Sequence, residues 1–500
     1  MDDTSSLPPV EKPLSLPEAL LPIVAAIVLL GLSMYLFGQE GGHGPHQVAI
    51  TCAAMVGVFV GWRRGIPVEE LRYTAQTGIK NSAKMIFQLF AVGALLGTWA
   101  MSGTLLAMGY YLLLLLTPDR LYLTALLVSA FVGFAICSSW TVASTFGVGF
   151  VGIASQLGLD PAIMAGAVVS GAYFGDKLSP FSDKAQLAAA TAGANLREHT
   201  REGLWTSIPA FVITAIIFWT LGEPGDRDPT ATTIALDDAL HISPVLLLPL
   251  ALVLILALFR WPPFTTMLLG AFAGGLVAVA MEPERVLAFA NADDLPTWLA
   301  LIKGVWEALA TGFVADTGIG PIDTFLTKGG MASMLDTIWL VIAAAAFGGI
   351  IERVGVLDRL FLPIIEAARS AGILITSVIG TAIVLNILAA NQQVATRLTE
   401  RLAHDAVRER RIAPVVLSRS MADSASVTSA LVPWNTCGAY LAAALGVATF
   451  DYAPYAFFNF LSPLIAIAFA LLGVRMLRLA PTAGSGADGG AVPRSGARET

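Results

Sequence analysis

The sequence predicts an all-α polytopic membrane protein made of two related halves, each with a fold-back hairpin and a broken helix. Three observations carry this. Of 500 residues, 56% are hydrophobic and only 13% charged, where soluble domains carry roughly a quarter charged residues; the mean hydropathy is +0.73. Many apolar windows reach the ~20 residues that a helix needs to span a bilayer. An over-long uncharged run with a polar middle, followed by an Asp/Ser/Pro-rich break, occurs twice.

Taken in order, residues 1–18 are acidic and Pro-rich and read as a disordered cytoplasmic tail, with no basic start of a cleavable signal peptide. Residues 19–203 hold two spans (19–38 and 47–62), an interfacial helix and the first half. Arg63, Arg64, Arg72, Lys80 and Lys84 follow the second span and belong on the cytoplasmic side, which puts both termini inside. Residues 68–84 interleave charges with apolar side chains, as expected of a helix lying in the interface.

The uncharged run 121–159 is 39 residues long. As one helix it would measure roughly 58 Å, about twice the hydrocarbon core, so it must fold back. Its turning point is the polar Cys137-Ser-Ser-Trp-Thr141, tolerable at depth only where it is buried in protein or lines a wet cavity. A broken helix follows over 161–193, interrupted at Pro180. Residues 204–298 form connecting spans between acidic loops, the first at 223–238. Residues 299–478 form the second half, with a hairpin at 370–396 and a broken helix at 418–448. A Gly/Ala/Ser-rich tail, 479–500, closes the chain.

The halves align at two offsets. At 252, Gly97–Gly103 falls on Gly349–Gly355, and Ser138-Ser139-Trp140 on Ala390-Asn391-Gln392. At 247, Asp176 falls on Asp423, Ser179 on Ser426 and Ser182 on Ser429. Duplicated halves with interrupted helices point to a transporter's binding site, and an odd number of crossings per half makes the repeats inverted.

The chemistry lies in these polar breaks, because ionisable residues at depth mark ion or substrate paths by default. The first site holds Ser138, Ser139, Asp176, Ser179, Ser182, Asp183 and Lys184. The second holds Asn391, Gln392, Asp423, Ser424, Ser426, Thr428, Asn435 and Thr436. Hard cations such as Na⁺ take several oxygen ligands, and broken helices add freed carbonyls. Asp423 and Asp183 are the expected carboxylate ligands of a monovalent cation. Burial favours the neutral form of a carboxyl group, so one site can take either H⁺ or a metal ion and exchange them by competition.

Blander roles exist for each residue. Membrane Ser and Thr commonly bond the backbone. Asp176-Lys177 and Asp183-Lys184 can be self-neutralising pairs, Arg419 shares a helical face with Asp423, and Glu352-Arg353 can be an interfacial pair. The three cysteines lie far apart in apolar runs, and the His43/His46 pair sits in a Gly/Pro loop, so neither builds a zinc site. The net charge of −7 shows no basic run for nucleic acid. Without a phosphate loop, zinc spacing or nucleophile elbow, an enzyme is not expected.

Gly175-Asp-Lys-Leu-Ser-Pro-Phe-Ser-Asp183, Val427-Thr-Ser-Ala-Leu-Val-Pro-Trp-Asn-Thr-Cys-Gly-Ala-Tyr440, Gly329-Gly-Met-Ala-Ser-Met-Leu335, Phe347-Gly-Gly-Ile-Ile-Glu352 and Gly97-Thr-Trp99 resemble the NhaC-type sodium/proton antiporter family, in order, over residues 85–475. The resemblance implies two inverted repeats with re-entrant hairpins and an elevator-type transport domain. It also implies a bacterial inner-membrane protein that expels Na⁺ or Li⁺ for entering H⁺ and serves pH homeostasis. The expected partners are monovalent cations, protons and the lipid bilayer, with a homodimer among the assemblies open to it. No cofactor is expected beyond the transported ions.

Two departures stand out. Ser182-Asp-Lys-Ala-Gln186 replaces the family's Ser-Asp-Thr-Thr-Asn, and Ala390-Asn391-Gln392 replaces Ala-Asp-Gln. Lys184 can act as a tethered cation in that half or carry the proton itself. Alternatively it binds the carboxylate of an exchanged organic anion or amino acid. A non-transporting sensor or scaffold is disfavoured by the paired polar breaks.

Overall fold

The computed structural model describes residues 14–115, 120–222, 242–315, 323, 326, 327 and 329–479. The described residues are mostly helical and form no β-strand; Ile412 and Arg478 make an isolated antiparallel bridge. Seven of these helices are long and apolar enough to cross a bilayer. Their outer faces carry exposed apolar side chains such as Ile27, Tyr35, Phe59, Trp219 and Leu276. That is the surface a lipid solvent requires. The chain is a polytopic helical membrane protein.

The first two spans are helices Leu16–Phe37 and Pro45–Arg63. Ser15 starts the first, and Glu18 pairs with Arg64 of the second. The end of the expected N-terminal tail is therefore ordered, while residues 1–13 and 480–500 lie outside the described residues, as does the acidic loop 223–238. Residues 68–84 are not a separate interfacial helix. They begin one 34-residue helix, Val68–Met101. No Gly or Pro between Asn81 and Val92 breaks its hydrogen-bond ladder. This long helix puts Gly93 and Gly97 against the turn at Gly329 and Gly330, whose positive φ and close backbone contact leave no room for a side chain.

The 121–159 run folds back as its length requires. Leu121–Ile136 leads in, Cys137 turns at φ 63°, and the chain returns from Ser139 to Gln156, through a π turn at Ala143–Gly147. Asp160 N–H then donates to Tyr122 Oη at 3.0 Å, so the returning arm ends beside the start of the leading arm. Helix Pro161–Leu178 runs in again, parallel to the leading arm. A Cβ on Gly171 would meet Leu126 O, one on Gly175 would meet Ala130 O, and one on Gly133 would meet Ala172 O. This small-residue face lets the two backbones touch.

A second hairpin follows later in the chain. Ala371–Ala389 leads in, Ala390 turns at φ 53°, and Gln392–Glu409 returns. Arg410 Nη2 donates to Ala368 O at 2.6 Å, closing the base of this hairpin. Pro414–Met421 continues through a π turn, Ala422–Ser426, and a short 3₁₀ turn, Ser429–Leu431. After Val432, Pro433 and Trp434, helix Thr436–Leu445 follows. Between the halves lie Leu196–Leu221, Leu248–Leu258 and Pro263–Met281. Two apolar clusters form the core, one around residues 85–108 and the first hairpin, the other around the N-terminal spans and the second hairpin.

Candidate functional site

The site begins with two matching sets of backbone breaks. Cys137 (φ 63°, ψ 28°) and Ala390 (φ 53°, ψ 14°) are both left-handed. The residues after them, Ser138 (φ −150°, ψ 104°) and Asn391 (φ −148°, ψ 121°), both cap the returning helix. Each helix break holds a proline, Pro180 or Pro433, followed by a helix cap, Ser182 (φ −66°, ψ 132°) or Asn435 (φ −73°, ψ 144°). All four pairs share one offset of 253. The registers 252 and 247 read from residue identities are therefore corrected at these breaks. Asp176 stands opposite Ser429, not Asp423, because cap and proline positions set the register rather than carboxylates.

Both tips face one cleft of about 130 Å³. Ser138, Ser139, Asp176, Ser182, Asp183, Lys184, Asn391, Gln392 and Thr436 line it, together with Asn81, Lys84, Met85 and Gln88 of the long helix. Trp140 stacks on Tyr440 at 4.4 Å and 16°, joining the first returning arm to the last helix of the second break.

Inside the cleft is a compact cage. Asp176 Oδ1 accepts from Ser182 Oγ at 2.5 Å, and Oδ2 from the Ser139 N–H at 3.1 Å. Lys184 Nζ lies 2.7 Å from Asp176 Oδ2, donates to Ser139 Oγ at 2.6 Å, and sits 4.2 Å from the centre of the Tyr173 ring. The Asp176 side chain is 2% exposed and that of Lys184 15%, so the cage opens on the cleft through the lysine. Carboxylate, hydroxyl and aromatic face together satisfy all three protons of the ammonium.

Asp423, the foremost sequence candidate, lies elsewhere. Its side chain is fully buried against Lys177, and it accepts from Thr206 Oγ at 2.9 Å and Ser462 Oγ at 3.0 Å. Lys177 also donates to Ser462 Oγ at 2.9 Å. Asp183 sits at the cleft mouth, 77% exposed and 3.4 Å from Lys84. Asp423 and Asp183 thus do not form one cation site. Chain folding also exchanges the partners expected from adjacency: Lys184 takes Asp176, and Lys177 takes Asp423. Arg419 lies 3.8 Å from Glu202 and also interacts electrostatically with Asp423. Glu352 faces Arg401 at 3.9 Å, while Arg353 pairs with Glu70.

Several expected ligands do structural work. Ser424 Oγ donates to Ser420 O at 2.6 Å and Thr428 Oγ to Ser424 O at 2.8 Å, the local bonding usual in membrane helices. Ser179 Oγ donates to Cys137 Sγ at 2.9 Å and ties the first tip to the first break. Ser426 lines a much smaller cavity of about 10 Å³ beside Tyr173 and both lysines. Asn435 caps its helix and donates to Asn386 O at 2.9 Å. Asn386 itself holds Ala425 O at 2.6 Å and Thr428 Oγ at 2.9 Å, and so braces the second break. It was legible as the sole side-chain amide of its apolar run. Thr206 and Ser462 carried no such signal.

Residues 19–202 and 171–474 match the Na⁺/H⁺ antiporter family. The Na⁺/H⁺ antiporter NhaC of Alkalihalophilus pseudofirmus is 34% identical, over 91% of this chain and 95% of the relative. The malate-2H⁺/Na⁺-lactate antiporter of Bacillus subtilis is 31% identical, over 86% and 90%. The arginine/ornithine antiporter ArcD of Halobacterium salinarum is 30% identical, over 93% and 94%.

Proposed function

The chain belongs to the Na⁺/H⁺ antiporter family, and from that premise we propose that this antiporter exchanges cytoplasmic Na⁺ or Li⁺ for external H⁺ at the Asp176 cage. One observation carries the reading: the Lys184 ammonium fills a cage whose carboxylate and hydroxyl oxygens equally suit a small alkali cation. Two monovalent cations cannot share it. When Na⁺ takes Asp176 Oδ2 and Ser139 Oγ, Lys184 is displaced and gives up a proton; reprotonation of the amine restores the ion pair and expels Na⁺. Ser182 Oγ and the Ser139 N–H hold the carboxylate in place in both states.

The recurring breaks at one offset support two inverted repeats with re-entrant tips meeting at the cleft, and an elevator-like movement of the cage between the two faces. The basic ends support a cytoplasmic-membrane location with both termini inside. Everted vesicles holding an imposed ΔpH test the exchange. Dequenching on adding Na⁺ or Li⁺, lost in Asp176→Asn, supports it; no cation response over pH 6 to 9 refutes it.

A second reading rests on the cleft being larger than one bare ion and on relatives named for malate, lactate, arginine and ornithine. Here a small carboxylate or amino acid is exchanged, and Lys184 supplies its counter-charge. Uptake into proteoliposomes that survives Lys184→Ala unchanged contradicts this version.

A further inference from the structure

We infer that Lys177 is the resident occupant of a second monovalent-cation site, centred on Asp423, which the chain keeps filled with its own ammonium. The parts match those of the open cage. Each has one carboxylate, two hydroxyls, one aromatic face and one lysine. In the second, Asp423 Oδ1 and Ser462 Oγ (2.9 Å) hold the Lys177 Nζ, and the Phe458 ring centre lies 5.7 Å away. Thr206 Oγ lies 2.9 Å from both carboxylate oxygens, as the second hydroxyl. Four separate elements contribute: Lys177 from the first broken helix, Asp423 from the π turn Ala422–Ser426, Thr206 from Leu196–Leu221 and Ser462 from Phe457–Leu471.

Hard oxygens around one unit of negative charge suit Na⁺, K⁺ or a small primary ammonium. No part of this pair lines the cleft. The lysine is 4% exposed and the aspartate 0%. Other charges lie nearby: Arg475 holds Glu202, His199 Nδ1 bonds Ser418 Oγ at 2.6 Å, and Arg419, 3.8 Å from Glu202 with its Nε and Nη1 unbonded, also acts on Asp423. Removing the lysine side chain leaves a vacant cage with its carboxylate and hydroxyls in place. Lys177 thereby keeps the Asp423 oxygens from taking up an exchangeable cation. The inference stands on the geometry of the closed pair, so failure of Na⁺ exchange in the wild type leaves it intact.

The test is thermal unfolding of purified full-length Lys177→Ala in Na⁺, K⁺ or methylammonium, against bulky N-methylglucamine. We expect a saturable upward shift with the small cations, larger than in the wild type, with the excess absent in Lys177→Ala/Asp423→Asn. A response no larger than wild type, or an excess that persists in the double variant, overturns the inference. If Lys177→Ala is lost in purification, its folded yield from membranes solubilised in methylammonium or N-methylglucamine is compared instead. Recovery in methylammonium supports the site. Loss in every cation, with the double variant purifying normally, overturns it.

Discussion

The two cages use the same chemistry in different surroundings. At Asp176 the ammonium comes from Lys184, on the helix that restarts after the first break, and a wet cleft adjoins it. At Asp423 the ammonium comes from Lys177, before that break, and is sealed by Leu196–Leu221 and Phe457–Leu471. An ion pair beside water can exchange its cation, because a displaced ammonium there can pass its proton to water. A sealed pair cannot, because breaking it strands a charge in low dielectric. Access, more than ligand type, separates the proposed transport site from the closed pair.

This difference is open to attack, starting where the largest effect lies. Lys177→Met strands the Asp423 carboxylate and should cost about 3–5 kcal/mol, read as a large fall in thermal stability. Asp423→Asn added to it should recover most of that loss. Asp176→Asn should instead spare stability and sharply reduce exchange. Losing one charged ligand bond is worth about 1.5–3 kcal/mol, so dequenching should fall by roughly 10- to 100-fold.

Ser139→Ala removes one hydroxyl from the open cage. The net loss of about 1 kcal/mol should raise the half-saturating Na⁺ concentration several-fold in the same vesicle assay. Smallest of all, Asp183→Asn breaks a solvent-exposed contact with Lys84. Such pairs contribute about 0–1 kcal/mol, so exchange and stability should stay near wild type.

That last expectation runs against the sequence reading, which ranked Asp183 beside Asp423. The breaks themselves were legible, since 39 uncharged residues cannot be one span and Pro180 cannot sit inside a continuing helix. The polar tips at Ser138 and Asn391, and the place of Lys184 in a site, were legible for the same reason. Pairings were not. Lys177 and Asp423 lie 246 residues apart, and Thr206 and Ser462 are single hydroxyls in apolar helices. Only packing decides which of two neighbouring lysines faces which of three aspartates. Residues 68–84 misled differently, because interleaved charges mark a helix face in contact with water whether the helix lies in the interface or continues into a span.

The central claim is that Na⁺ and the Lys184 ammonium exclude each other from the Asp176 cage. Initial rates of Na⁺ flux in proteoliposomes, measured across Na⁺ concentration at several pH values, test it most directly. We expect the half-saturating Na⁺ concentration to rise as pH falls while the saturated rate holds, and we expect Lys184→Met to abolish both this pH dependence and the counterflow of protons. A half-saturating concentration that ignores pH, or proton coupling that survives Lys184→Met, would contradict it.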